Sequence, residues 1–196
     1  GEGMRERDMR GPTPIDLAAC RVTFRKLRYS GDEFTPPGTD RFFTYPGAQG
    51  GMNWGSVSTD IPNNLVFVND IRVPSIFKLM PSADYPAFAR RVHADGTGHG
   101  PSPQRGTPYG MDTRMWFSPL RVPCVAPPFG TITAIDMNTR KIAWQVPAGT
   151  AEQLGPFGIR LHMPMPMGLP TYAGTTATAG GLVFFSGFQD YYLRAY

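Results

Sequence analysis

The sequence predicts an all-β fold of short strands joined by tight turns, and three observations carry that reading. Glycine and proline number 23 and 21 in 196 residues, well above the usual shares of about 7% and about 5%, so turn formers are abundant. Aromatic residues make up 12% and hydrophobic residues 41%, which is too apolar for a disordered chain. A strand–turn–strand unit recurs along the second half, as expected for an all-β domain. At this length one domain with a real core is expected.

Residues 1–14 read as a polar lead-in. Residues 15–29 carry Leu17, Cys20, Phe24 and Leu27 at spacings of three and four, which suggests a short helix; the alternation of Val22 and Phe24 also permits a strand. Gly31 to Gly38, with Pro36-Pro37, is a turn region, and Arg41 to Tyr45 looks like a short strand. Residues 1–49 thus form a lead-in with a short helix and strand.

A clearer pattern begins at Gly50. GGMNWGSVSTD (50–60) reads as a strand, Ile61-Pro62-Asn63-Asn64 as a turn, and LVFVND (65–70) as a second strand. Residues 71–128 form a long excursion rich in proline and glycine, and an excursion of that size in a compact domain is usually functional or mobile. GTITAID (130–136) and KIAWQVP (141–147) then form two more strands joined by a tight turn. LPTYAGTTATAG, GLVFFSG and DYYLRAY start the same succession again over 148–196. The offset from Ala134 to Ala195 is 61 residues, longer than the usual repeat of about 40–50 because GPFGIRLHMPMPMGLP (155–170) is inserted. Four strands per unit with radial repetition describe a β-propeller blade. The chain is read as one blade (50–147) interrupted by the 71–128 excursion, followed by an incomplete blade (148–196). An unfinished blade leaves an unpaired edge, so a fragment of a larger ring is expected.

Charge and cysteine usage narrow the function classes. The net charge is +4, and seven basic residues between Arg5 and Arg28 are intermixed with Glu6, Asp8 and Asp16. With no stacking module beside them, a nucleic-acid partner is not expected. The two cysteines, Cys20 and Cys124, form no CxxC pair, so zinc and thioredoxin-like readings lack support. In an oxidising compartment they could form a disulfide, although sequence alone does not show that they approach each other. His93, His99 and His162 make no ligand spacing, and Asp95 near the first two lies in a Gly-rich stretch, so no metal site is expected. No stretch reaches the roughly 18 apolar residues needed to cross a bilayer, and the charged start from Gly1 to Arg10 is not a signal peptide. Any anchor or export signal is expected outside these residues.

The motif Ala134-x-Asp136-x-x-Thr139-Arg140-Lys141-x-x-Trp144 resembles the tryptophan-docking motif that staples neighbouring blades in quinoprotein alcohol dehydrogenases. Its Asp and Thr order the turn by local hydrogen bonds, and Trp144 is expected in the core. Arg140 stands where that motif normally has Gly, so a different turn is allowed for. TATAGGLVFFSGFQDYYLRAY (176–196) looks like the penultimate-blade signature of the same superfamily. RDMRG, LAACRVTF and LRYSGDEFTPP within 7–37, with VPCVAPPFGTITAIDMNTRKIAWQVPAGT (122–150), are similar to the membrane-bound PQQ-dependent glucose/quinate/shikimate dehydrogenases.

That resemblance implies about two blades of an eight-bladed quinoprotein propeller, at the periplasmic face of the inner membrane. It implies pyrroloquinoline quinone (PQQ) on the propeller axis with calcium or another divalent ion. A carboxylate base would help remove the alcohol proton while hydride passes to the quinone, and electrons would leave to ubiquinone. The base and the metal ligands are expected upstream of Gly1, so this segment alone is expected to be inactive. Asn53 and Trp54 match an Asn-Trp pair that faces the cofactor in soluble relatives; an Asn amide can donate to a quinone oxygen and an indole N–H to a carboxylate. The bland alternatives are a turn-capping Asn53 and a core Trp54. Asn69 matches an active-site Asn of the membrane glucose dehydrogenases, against a plain turn-forming Asn-Asp.

The glucose-oxidising branch has Phe-Glu-Trp where this chain has Met52-Asn53-Trp54, and Asn-Pro where it has Asn69-Asp70. These departures favour an anionic cyclic polyol such as quinate or shikimate over glucose. Arg72 or Arg105 would then pair with its carboxylate through a bidentate fork, against the alternative of ordinary surface arginines, and Tyr109 is a weaker candidate for the pocket wall. A glucose dehydrogenase of the same family and a non-catalytic propeller scaffold remain the other readings.

Overall fold

The structure is a computed structural model that describes residues 3–31, 35–95 and 101–196, apart from the side chains of residues 93–95 and 157. His99 of the sequence reading lies outside the described residues, as do the side chains of His93 and Asp95. The chain divides into two compact units, residues 1–48 with 73–126 and residues 49–72 with 127–196. The first holds α1 (Pro14–Arg25), β1 (Phe42–Thr44), β4 (Ser75–Pro81), α2 (Tyr85–Asp95) and β5 (Tyr109–Met115). The second holds β2 (Ser58–Asp60), β3 (Leu65–Ile71), β6 (Gly130–Asp136), β7 (Lys141–Pro147), β8 (Thr176–Ala177), β9 (Val183–Phe185) and β10 (Arg194–Ala195).

In the second unit, β2-β3-β6-β7 form a four-stranded antiparallel sheet, the layout of a propeller blade, and β8-β9-β10 form a three-stranded one. Antiparallel sheets with two short helices agree with a partial β-propeller. β3 and β6 pair without a break from Leu65↔Asp136 to Ile71↔Gly130, although 58 residues lie between the strands. In β3 the residues Phe67, Asn69 and Ile71 are buried, the period of two that a strand requires. In β6 the run Gly130 to Ala134 is wholly buried, whereas β7 is an exposed edge. The core joins both sheets through Phe67, Ile132, Ala134, Leu169, Val183, Phe185 and Phe188.

The docking turn keeps its glycine geometry with an arginine in place. The Asp136 carboxylate accepts the Asn138 and Thr139 N–H groups at 2.7 and 3.2 Å, which holds it below the ordinary carboxylate range. Arg140 takes φ 56°, the left-handed region that costs a residue with a Cβ about 1 kcal/mol. Trp144 is half-buried, its ring 6.0 Å from Phe67 and 6.5 Å from Tyr196.

In the first unit, β1-β4-β5 form an antiparallel sheet. Thr13 caps α1, its hydroxyl accepting from Asp16 N at 3.2 Å, and Pro14 occupies the first turn where a missing N–H is harmless. The buried Asp16 carboxylate takes the Thr13 hydroxyl and, at 3.0 Å, the Leu120 N–H. An aromatic cluster joins Phe24, Tyr29, Phe43 and Trp116 at 5.0–6.4 Å. Cys20 and Cys124 form a disulfide across 104 residues.

Two expectations need correction. Only Ser58–Asp60 of the 50–60 segment is strand; Gly50 and Ser56 take positive φ and Ser56 N–H bonds back to Asn53 O, so the segment before it is a loop. The 71–128 excursion is not simply loop, for it contains β4, α2 and β5.

Candidate functional site

The loop before β2 is shaped by backbone contacts that leave one large side chain outward. Asn53 Nδ2 donates to Gln49 O at 3.0 Å and Asn53 Oδ1 accepts from Trp54 N at 2.8 Å. Ile71 N donates to Gly51 O at 2.6 Å, fixing the loop at the end of β3. A Cβ on Gly55 would sit 2.4 Å from the Ala173 carbonyl carbon, and one on Gly174 2.0 Å from Gly55 O. Only glycine lets these two backbones meet. Trp54, next to this crossing, is 81% exposed within this chain.

Asn69 is 3% exposed and its Nδ2 donates to Thr171 O at 3.3 Å. Thr175 Oγ1 bonds Phe67 O at 3.4 Å and Ser58 Oγ at 2.6 Å, so residues 171–175 run along the buried side of β2 and β3. Strand alternation puts Asp70 on the other face of β3. Its Oδ1 accepts from Thr131 N at 3.1 Å and from the Thr131 hydroxyl, and its Oδ2 accepts from Arg72 Nε at 2.7 Å. Arg72 N donates to Phe129 O at 2.9 Å. Backbone and Nε are thus both fixed, and the two terminal guanidinium nitrogens have no partner among the described residues.

Asn53, Trp54, Asn69 and Arg72 lie in one unit, near the start of β2 and the end of β3, with Asn69 on the opposite face of β3 from the Asp70 that holds Arg72. No hydrogen bond among the described residues joins Asn69 to Asn53, Trp54 or Arg72. Arg105, exposed in the turn closed by Thr107 N to Gln104 O, and Tyr109, 40% exposed on β5, belong to the other unit. Sequence reasoning passed over Asp70 and Thr131. The signal for Asp70 was its place two residues before Arg72, on the same side of an extended chain; Thr131 had no local signal.

Cavities are also formed elsewhere. One of about 730 Å³ lies in the first unit beside the disulfide, lined in part by Arg41, Arg114, Trp116 and Arg121. One of about 270 Å³ lies in the second unit between Thr150, Glu152, Pro164 and Tyr192–Arg194. Beside it Asp190, 2% exposed, binds Arg194 at 2.6 Å and the Thr150 N–H at 2.7 Å. Burial pushes its carboxyl up, but Arg194 and the Thr150 and Tyr192 N–H groups outweigh that and leave it below the ordinary carboxylate range. Among the described residues no group of three or more His, Cys, Asp or Glu side chains gathers to hold a metal ion. No helix among the described residues is long and apolar enough to cross a membrane.

Comparison with known proteins bears on the whole chain. A family model described as the glucose/ethanol/alcohol dehydrogenase β-propeller domain, PQQ, matches residues 1–196. The chain is 48% identical over 98% of its length to a probable quinate dehydrogenase (quinone) of Xanthomonas campestris pv. juglandis. It is 47% identical over 98% of its length to the quinate/shikimate dehydrogenase (quinone) of Acinetobacter baylyi. With the quinoprotein glucose dehydrogenase of Escherichia coli it shares 36% over 96% of its length. In each case it spans 24% of the relative. A four-stranded antiparallel sheet followed by a three-stranded one, a turn built on Asp136 and a family match over the whole chain agree: the chain belongs to the PQQ-dependent glucose/ethanol/alcohol dehydrogenase β-propeller family.

Proposed function

We propose that this segment helps seat PQQ and the substrate in a quinone-linked dehydrogenase of carboxylated cyclic polyols, with quinate or shikimate favoured over glucose. The observation that carries the substrate reading is the Arg72 guanidinium, held by Asp70 so that its free fork is fixed before any ligand arrives. Identities of 48% and 47% to relatives named for quinate, against 36% for one named for glucose, point the same way.

The residues present fit the cofactor. Trp54 offers an exposed, flat indole with an uncommitted N–H, suited to a planar polyanion by stacking and by a bond to a carboxylate. Asn53 and Asn69 each commit one amide N–H, to Gln49 O and Thr171 O, and an amide nitrogen carries a second one. PQQ, when bound, would supply the acceptor for the two electrons taken from the alcohol. Asn53 would orient Trp54 through its backbone N–H. Arg72 would position the substrate by its carboxylate, and Asp70 would act through Arg72.

In the full-length protein a divalent ion such as calcium would accompany the quinone, with its ligands and the base supplied outside this chain. The propeller would face the periplasm, anchored to the inner membrane by other segments, and would pass electrons to ubiquinone. The Cys20–Cys124 disulfide supports an oxidising compartment.

Dye reduction by the full-length protein, loaded with PQQ and calcium, tests the reading. Quinate and shikimate should outpace glucose and glycerol. A preference for glucose would select the glucose branch, and silence across all four would select a scaffold. Arg72→Ala should raise the KM for quinate roughly 10- to 100-fold with little change in kcat, from the loss of about 1.5–3 kcal/mol in bonds to a charged group. An unmoved KM removes Arg72 from the substrate site.

A further inference from the structure

We propose that the inserted segment His162–Gly168 is a binding site for a soft monovalent cation, Cu(I) or Ag(I), held by the thioethers of Met163, Met165 and Met167. The sequence alternates Met-Pro-Met-Pro-Met, and the backbone turns that alternation into geometry. Met165 N donates to Met163 O at 2.8 Å and Met167 N to Met165 O at 2.8 Å. These are two successive three-residue turns, centred on Pro164 and Pro166. A backbone that repeats every two residues presents residues 163, 165 and 167 to the same side. Successive Cα atoms of the three are no more than about 7 Å apart, and Met163 and Met167 no more than about 14 Å, a span that the two turns shorten and that side chains with three rotatable bonds can close on one ion.

The segment is held in place before any ligand binds. Ala151 N donates to Met165 O at 3.1 Å, Phe129 N to Met167 O at 2.9 Å, and His162 N to Glu152 O at 2.9 Å. The two prolines fix φ and remove competing donors. Yet Met163 and Met165 are 47% and 39% exposed, and Met167 is half-buried. A methionine ordinarily fills a core gap; here rigid backbone carries the sulfurs to the surface. Thioethers are soft, uncharged ligands that select soft monovalent metals over calcium, magnesium or zinc. No carboxylate lies within the segment to reverse that preference. Phe129 bonds Met167 through its N–H and the Arg72 N–H through its carbonyl, so the segment runs beside the end of β3, but the thioethers use none of the groups proposed to hold cofactor or substrate.

The test uses Ag(I), which needs no redox control, on the full-length PQQ-loaded protein with thiols absent. After competition with a soft chelator, the wild type should retain one equivalent more than the variant carrying Met163→Leu and Met165→Leu. Leucine keeps the apolar volume, and dye-reduction activity without metal should be the same in both, which shows the variant is folded. X-ray absorption of the retained silver should show a sulfur shell. Equal retention by both proteins, no retention by either, or a shell of nitrogen and oxygen alone would overturn the proposal.

Discussion

The two units reach order by different means. The second is built from strands whose partners are set by alternation and tight turns, and its core lies between two sheets through Phe67, Ile132, Val183 and Phe185. The first has a three-stranded sheet and two short helices, α1 capped by Thr13, tied by the Cys20–Cys124 bond, the Asp16 carboxylate and an aromatic cluster. Repeated structure can be held by many small contacts in register, whereas irregular structure depends on a few strong ties. Of the candidate cofactor and substrate residues, all in the regular unit, Asn69 sits on β3, Arg72 just beyond its end, and Asn53 and Trp54 on the loop before β2.

The sharpest way to break this contrast is to remove the covalent tie. Replacing Cys20 and Cys124 together by serine should lower stability by about 4 kcal/mol, as expected for a closed loop of about 100 residues. Hydrogen exchange should rise in α1 and β5 and stay unchanged in β3 and β6. Equal loosening of both units would erase the distinction.

In the second unit the nearest equivalent is polar. Asp190→Ala leaves Arg194 without its partner and three N–H or O–H donors unmet, and should cost about 3 kcal/mol. The pH dependence follows from the lowered carboxyl. Its contribution is complete above the unfolded value of about 4 and drains away as pH falls through the lower folded value. Urea midpoints of the wild type should therefore fall below pH 4 more steeply than those of Asp190→Asn. Parallel curves would show that Arg194 does not hold the carboxylate in its charged form.

The smallest effect has the opposite sign. Arg140→Gly should stabilise the β6–β7 turn by about 0.5–1 kcal/mol, since glycine meets no Cβ penalty at positive φ. A loss of stability would mean that the arginine side chain contributes more than its backbone costs.

What the sequence made legible follows the same division. GTITAID and KIAWQVP were readable to the residue because strong strand formers flank an Asp-x-x-Thr turn, and LVFVND fell one residue short of β3. The spacing of Leu17, Cys20 and Phe24 betrayed α1, although the helix runs from Pro14 to Arg25 rather than over 15–29. The strand expected from Gly50 failed because Gly50 takes a positive φ, Gly51 O accepts the Ile71 N–H and Gly55 crosses the Gly174 backbone, none of which is strand pairing. β4 and β5 were missed because they pair across an intervening helix, and β4 has no clean alternation of burial. The disulfide stayed open for the same reason, for a contact across 104 residues leaves no local pattern. At the site, Asn53, Trp54, Asn69 and Arg72 were named from residue type and resemblance. The Asp70–Thr131 anchor of Arg72 was hidden because Thr131 arrives from 61 residues away.

The proposed function rests most heavily on Trp54 as a residue that holds the quinone. Titrating PQQ into the full-length apoprotein, with Trp54→Ala beside the wild type, tests it most directly. The variant should bind PQQ about tenfold or more weakly, the loss of one stacked indole and its N–H bond. An unchanged Kd would contradict the account and leave Trp54 as a surface residue with no part in holding the cofactor.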